Sequence, residues 1–529
     1  MLKNGSGAEN AGWIVMPLTM IERFQRGLEL SADRPAVRIG SEIITYRQVH
    51  ETALLWAGSL VAAGSPRAVG VLAGKSRESY VGLLAVLYAG ATVVPLQPTF
   101  PAALTRRMLE VAGVDTVIAD EDGLAVLPEI VDQETTVRVL DTRDGAGRFP
   151  VIPVVPDSKM AAPAQVAPSD RAYVLFTSGS TGIPKGVPIL HGGFAHYFEE
   201  LHNRCDFVPD DVFAQTYDLN FDPGIHDVFA AWGAGAMMQV VPPSAYRDLP
   251  AFLAEHGVTV WHSTPSGIWM TREMGGLEKG SLPGLRWSFF GGEALRCRDV
   301  VDWLAAAPAS KLENLYGPTE FSIGICWHRW SGEESEKRGV NGTVPIGKVH
   351  SGNDFRLVTE QGEQSDEEGE LWITGPQITP GYLNPADDAG RFVEFEGRRW
   401  YRTGDRVRET PDGELVFIGR VDAQVKVHGW RVELAEVDHV VRGCEGVRDA
   451  VTVPRPAAHG TELIVFYTGD EVPEPTLAER VRAVLPASTL PRRYVHVDTL
   501  PLNANRKVDR LALRRRAEEL PGGQAAPQP

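Results

Sequence analysis

Thr177, Ser178, Gly179, Ser180, Thr181, Gly182, Ile183, Pro184, Lys185 and Gly186 form one unbroken run that gathers the groups needed to hold a polyphosphate. Its three glycines let backbone N–H groups approach an anion closely. Four hydroxyl side chains add donors, and Lys185 adds a positive charge. The order is not a Walker A loop, which would need glycine at Pro184 and serine or threonine at Gly186. A Gly/Ser stretch met alone is more often a plain turn, so the surrounding chain has to decide.

Such a loop must be held by stiffer elements. Residues 173–176 are a short apolar run leading straight into it and predict a buried strand. Residues 68–73 and 92–95 read as further strands, with helical apolar spacing over 78–91 between them. Strand and helix patterns keep alternating through 257–261, 285–290 and 311–315. This predicts an α/β fold with parallel-type sheets covered by helices. Residues 141–170, rich in Pro, Ala and charge, read as a connection. Past about residue 345, short strands at 370–375 and 414–418 and the turn dipeptide Asp412-Gly413 predict a β-rich subdomain. A small α+β unit follows, with a helix over 434–441 and strands over 450–453 and 463–467. The expected division is a large N-terminal domain over 1–419, a mobile C-terminal domain over 420–517, and a disordered tail over 518–529.

With 529 residues the chain exceeds a single compact core. A net charge of −17 argues against nucleic acid or an anionic membrane as the main partner. No apolar run is long enough to span a bilayer, and no secretory leader is expected at the N-terminus. Cys205, Cys297, Cys326 and Cys444 match no zinc or CxxC spacing, which predicts reduced thiols and a cytoplasmic protein.

More motifs follow the loop in order. They are Gly291-Gly292-Glu293-Ala294, Tyr316-Gly317-Pro318-Thr319-Glu320, Tyr401-Arg402-Thr403-Gly404-Asp405, Gly419-Arg420-Val421-Asp422-Ala423-Gln424-Val425-Lys426, and Lys507 within residues 505–510. Each is weak alone. Together with the loop they resemble the adenylate-forming superfamily, whose members include acyl-CoA synthetases, luciferases and the adenylation domains of nonribosomal peptide synthetases.

The resemblance implies ATP and Mg²⁺ as reactants and a role for each motif. A carboxylate attacking the α-phosphorus of ATP brings anions together, so fixed positive charge and aimed donors are required. Thr177, Lys185 and Lys507 would supply them, with Lys507 bridging the substrate carboxylate and the transferring phosphoryl group. Glu320 would ligate Mg²⁺, which favours one or two carboxylates plus phosphate oxygens. Gly292, Glu293 and Ala294 would contact adenine, Asn314 would read its edge and Tyr316 would stack on it. Gly317 and Thr319 complete that motif, Asp405 would accept from the ribose hydroxyls and Arg420 would lie near the phosphates. Asp422 matches a hinge on which the small domain turns between two half-reactions. The segment 426–429 would line the entrance for a phosphopantetheine arm. Read in isolation, Glu320 is a surface or capping acid, Asp405 a turn residue and Lys507 a solvated charge.

Asp222, in a Phe-Asp pair, resembles the acid that binds the α-ammonium of an amino acid in peptide-synthetase relatives. With Lys507 it would clamp both ends of a zwitterion. It also sits where it could cap a helix started by Pro223. Carrying the family's contact positions across gives a side-chain pocket of Asp222, Pro223, His226, His262, Phe289, Gly291, Leu315, Ile323, Gly324 and Lys507. His262, Phe289, Leu315 and Ile323 resemble a serine-activating pattern. The glycines at 291 and 324 imply extra room, and the histidines imply a polar, small, serine-like or non-proteinogenic amino acid. Only 19 residues follow Arg510, and they contain no serine, so the acceptor is expected on a separate carrier protein. Rival readings are an acyl- or aryl-CoA ligase, a D-alanine–carrier ligase, and a non-catalytic nucleotide-binding protein on the same fold.

Overall fold

The computed structural model describes residues 18–131, 137–142, 149–177, 184–340, 342–421, 424–457, 460–501 and 508–521. Ser178, Gly179, Ser180, Thr181, Gly182, Asp422 and Lys507 lie outside the described residues.

Two sheets flank a shared helical layer. The first runs Val151–Pro153, Arg138–Asp141, Thr116–Ala119, Ala68–Leu72, Thr92–Leu96, Arg171–Thr177 and Lys185–Leu190. Its neighbours are parallel except the last pair, Arg171–Thr177 with Lys185–Leu190, which is antiparallel. The stretch expected as a mere connection therefore contributes an edge strand, Val151–Pro153. Three residues are too few to carry a period, and backbone pairing with Arg138–Asp141 supplies the order.

The second sheet has a parallel core of Pro35–Ile39, Met237–Val240, Val212–Gln215, Val260–Ser263, Trp287–Gly291 and Lys311–Tyr316. Between the sheets lies helix Arg77–Tyr88, buried at every residue from Glu78 to Tyr88. Apolar on all sides, it has no face to give to water. Its neighbour Tyr46–Ala62 starts with a reciprocal capping box between Thr45 and Gln48.

A β-rich subdomain follows, with Arg398–Glu409 pairing Glu368–Thr374, Phe392–Phe395 and Leu415–Arg420. The last part has its own core around Val437, Leu463, Val465 and Leu477, under a three-stranded sheet. It opens with a hairpin of Gln424–Val427 and Trp430–Glu433. The turn residues His428 and Gly429 both have positive φ, 49° and 83°, as a tight hairpin turn demands. Helix Arg510–Glu519 runs two residues past the expected start of the tail at 518.

Candidate active site

The carboxyl ends of Val260–Ser263, Trp287–Gly291, Lys311–Tyr316 and Arg171–Thr177 converge on one cavity, the usual place for a ligand in parallel sheets. The hairpin of the last part roofs it. Lys426, Gly429, Trp430 and Arg431 all line the cavity. The Trp430 ring stands perpendicular to Phe221 at 4.1 Å and lies 5.7 Å from Phe100. Gly429 comes so close to Thr264 that a Cβ there would sit 2.7 Å from its methyl group.

Asp222 is the first residue of helix Asp222–Gly233, with Pro223 in the first turn. Gly224 lets that turn press on the Asp218 carbonyl, since a Cβ would lie 2.3 Å from this oxygen. Asp222 is partly buried and lines the cavity. Burial pushes its pKa up to about 7, against the Thr319 hydrogen bond and the Lys426 charge, which favour ionisation.

Behind Asp222 lies a hydrogen-bonded wall. His262 Nδ1 is 2.8 Å from Asp227 Oδ1, and His226 Nδ1 is 2.7 Å from the Tyr197 hydroxyl. The two imidazoles meet at 4.7 Å. Burial, with the nearby charge of His262, holds His226 far below its ordinary pKa and therefore neutral. Among the described residues, His226, Asp227 and His262 are the group whose ligand atoms lie close enough for a metal, within 4.8 Å. Both Nδ1 atoms already have hydrogen-bond partners, which fixes the orientation of the two rings.

Of the expected pocket residues, Asp222, Pro223, His262, Gly291, Leu315, Ile323 and Gly324 line the cavity. His226 and Phe289 do not. They are 1% and 0% exposed and pack behind His262. Nor do the glycines leave the expected room. A Cβ on Gly291 would meet the Leu315 carbonyl at 2.9 Å, and one on Gly324 would meet the Tyr197 ring at 3.3 Å. The polar liners that were not foreseen include Tyr197, Tyr217 and Asn220. Tyr217 and Asn220 sit just before Asp222, so extending that motif upstream would have found them. The Tyr217 hydroxyl and Asn220 Oδ1 are buried with no hydrogen-bond partner among the described residues.

At the other end, Asp405 and Arg420 are register partners on adjacent strands and form an ion pair. The second Asp405 oxygen accepts from the Tyr316 hydroxyl at 2.5 Å. Thr177, Gly292, Gly317 and Thr319 line the cavity as expected. Tyr316 is instead tied down by Asp405 and is not a liner. Asn314 turns to the opposite side of its strand from Leu315 and donates to the Pro345 carbonyl at 2.8 Å. Glu293 accepts from the Ser266 backbone and hydroxyl, holding the start of helix Pro265–Glu273, and neither it nor Ala294 lines the cavity. Lys185 stands over the Tyr382 ring, 3.8 Å from Asp387.

A protein-family model described as AMP-binding enzyme matches residues 24–383. The chain belongs to the AMP-binding enzyme family. It is 31% identical over 520 residues to the L-proline–[L-prolyl-carrier protein] ligase of Streptomyces coelicolor, covering 94% of this chain and 96% of that one. Among solved structures, IdnL7 is 52% identical with a TM-score of 0.74, covering 95% and 99% of the two chains. The Vibrio cholerae adenylation domain AlmE, solved with glycyl-adenosine-5'-phosphate, is 27% identical with a TM-score of 0.85, covering 97% and 99%. Seven further curated relatives, among them the phenyloxazoline synthase MbtB of a Mycobacterium species, are longer, and this chain spans between 8% and 43% of their length.

In this AMP-binding enzyme Glu320, the expected Mg²⁺ ligand, is paired with protein groups. The residue is fully buried, and Arg431 Nη1 reaches both its oxygens at 3.0 Å. The Tyr382 hydroxyl adds a third donor. Burial alone would raise its pKa, but the Arg431 guanidinium and tyrosine hydroxyls outweigh this and hold it below the ordinary range. A divalent cation therefore does not fit Glu320 while the hairpin is docked.

Proposed function

We propose that this chain activates an α-amino acid with ATP and passes the aminoacyl group to the phosphopantetheine thiol of a carrier protein. Asp222 carries the reading. A carboxylate lining the cavity of an adenylate-forming enzyme is suited to an ammonium ion, whose charge offsets its desolvation. An acyl or aryl acid has no group for it. In the first step a substrate carboxylate oxygen attacks the α-phosphorus, and the bond to the β-phosphate breaks to release pyrophosphate. In the second the thiol sulfur attacks the acyl carbon, AMP leaves, and the thiol proton passes to solvent. Asp405 and Arg420 would hold the ribose side, and Lys507 would offset charge on the carboxylate and phosphoryl oxygens. The small domain over 420–517 would turn about Asp422 between the steps.

The favoured side chain is small and polar. Leu315 and Tyr197 fill the space beside Gly291 and Gly324. The Tyr217 hydroxyl, Asn220 Oδ1 and His262 offer hydrogen bonds that a hydroxyl-bearing group could take up. The relatives named for a prolyl-carrier ligase and for a glycyl adenylate complex support the reaction class. The test is amino-acid-dependent exchange of labelled pyrophosphate into ATP, over proteinogenic and small non-proteinogenic amino acids. Exchange with one small polar amino acid is expected. Exchange only with aryl or alkyl acids would overturn the reading and move the enzyme to the CoA-ligase branch.

A further inference from the structure

The stretch 216–221 joins the strand Val212–Gln215 to the helix Asp222–Gly233 and has no regular structure of its own. It nevertheless brings Tyr217, Asn220 and, at its end, Asp222 to the cavity. A stretch without ladder hydrogen bonds is held by whatever its carbonyls find. Here the partners come from the other sheet. Lys75 lies in the turn between the strand Ala68–Leu72 and the helix Arg77–Tyr88. Its Nζ donates to the carbonyls of Thr216 at 2.6 Å, Gln215 at 3.3 Å and Val241 at 3.4 Å. All the donors of one ammonium are thus spent on the carboxyl ends of two neighbouring strands. The next carbonyl, that of Tyr217, accepts from the Gln215 side-chain amide, whose own oxygen receives the Tyr80 hydroxyl at 3.1 Å. The turn that carries Lys75 is itself fixed. Gly74 N–H donates to Asp120 Oδ2 at 2.8 Å, and Asp120 also caps the helix Glu121–Ile130.

We infer that Lys75 is a positioning residue for the acid subsite, setting from outside the cavity how Tyr217, Asn220 and Asp222 face the substrate. The inference rests on the adenylating function proposed above. Thr216 and Tyr217 pass the position on: the Thr216 hydroxyl donates to the His262 carbonyl, and the Tyr217 ring meets the His262 ring at 5.1 Å. A neutral amide could serve only two of the three carbonyls, and a planar guanidinium does not converge on them as an ammonium does. Burial disfavours the charge on Lys75, while the Asp218 and Asp227 carboxylates favour it. Without Lys75 the strands keep their ladder bonds, so the loss falls on the stretch 216–221. A small displacement there reaches the acid substrate. It does not reach Asp405 and Arg420, at the other end of the cavity.

The test is pyrophosphate exchange by the full chain, with the carboxylic acid that the unaltered protein activates best. Lys75→Met should raise KM for that acid about tenfold, with kcat changed less than about twofold and KM for ATP unchanged. Its preference for the best acid over the next best should fall several-fold. Lys75→Arg should restore part of the acid KM, because it keeps the charge and loses the geometry. Tyr80→Phe removes only the hydroxyl behind Gln215 and should raise the acid KM about two- to threefold. An acid KM that is unchanged in folded Lys75→Met, or in Tyr80→Phe should the first variant not fold, would overturn the inference. So would a rise matched by an equal rise in KM for ATP, which marks general loosening of the fold. The unaltered protein alone decides the amino-acid reading, by the class of acid that supports exchange. Lys75 is judged by the variants against that same acid, so the two failures are distinct.

Discussion

The wall and the roof of the cavity are built by opposite rules. The wall, made by His226, Asp227, His262 and Tyr197, is buried and joined by direct side-chain hydrogen bonds. The roof meets the cavity through charged groups, Lys426 and Arg431, carried on a two-stranded hairpin. Packed hydrogen-bonded side chains have one low-energy arrangement, whereas an ion pair can be exchanged for another of the same sign. The wall therefore suits recognition of one side chain, and the roof suits a sequence of states. Damage to the wall should change which amino acid is used. Damage on the roof side should change how far the reaction proceeds.

The largest expected effect concerns the proposed catalytic lysine. Lys507→Ala should lower the rate of amino-acid-dependent pyrophosphate exchange by about 10²–10³, as loss of a charge-stabilising donor does. ATP binding, followed by calorimetry, should be largely kept; its loss would remove Lys507 from its assigned place. Next comes Asp222→Ala, at the junction of wall and roof. Removing one partner of a buried charge pair costs about 3 kcal/mol, about two orders of magnitude in kcat/KM for the amino acid. Unchanged amino-acid turnover would sink the ammonium clamp. Tyr217→Phe is smaller and belongs to the wall. It should lower kcat/KM about tenfold for a hydroxylated substrate and leave alanine or glycine nearly unaffected. An equal loss with all three would mean that the hydroxyl supports the fold and does not read the side chain.

What was legible in the chain and what was not divides along similar lines. The strand predicted over 285–290 is observed as Trp287–Gly291, and the helix over 78–91 as Arg77–Tyr88. The helix is a long, mostly apolar run and the strand a short aromatic one, and both are buried along their length. The nucleotide side was legible as motif order, and Asp405 and Thr319 do line the cavity. Three things could not be read from one dimension. Strand alternation decides that Leu315 faces the cavity while Asn314 turns to Pro345, and a one-residue choice of face is invisible in a short buried strand. Glycine suggests empty space in a sequence, yet at Gly291 and Gly324 neighbouring groups have moved into it. The Arg431–Glu320 contact spans 111 residues and depends on where a separate hairpin docks, which no local pattern encodes.

The smallest expected effect tests the junction itself, through pH. In the ligand-free protein the Asp222 carboxyl titrates near 7, because burial outweighs the help of Thr319 and Lys426. An α-ammonium is cationic throughout the range from 5 to 8 and binds the ionised carboxylate. Amino-acid affinity should therefore be greatest near pH 8 and fall as pH drops through 7. Between pH 7 and 6 the ionised fraction falls about fivefold, and KM for pyrophosphate exchange should rise by the same factor while kcat changes less. In Asp222→Asn this pH dependence should vanish along with most of the affinity. Lys426→Met removes a favourable charge beside the carboxylate, so it should shift the midpoint upward, with the wall and its choice of amino acid intact. A midpoint indifferent to Lys426 would mean that the roof is already withdrawn when the amino acid binds. The charged contacts of the docked hairpin would then act only after the adenylate has formed.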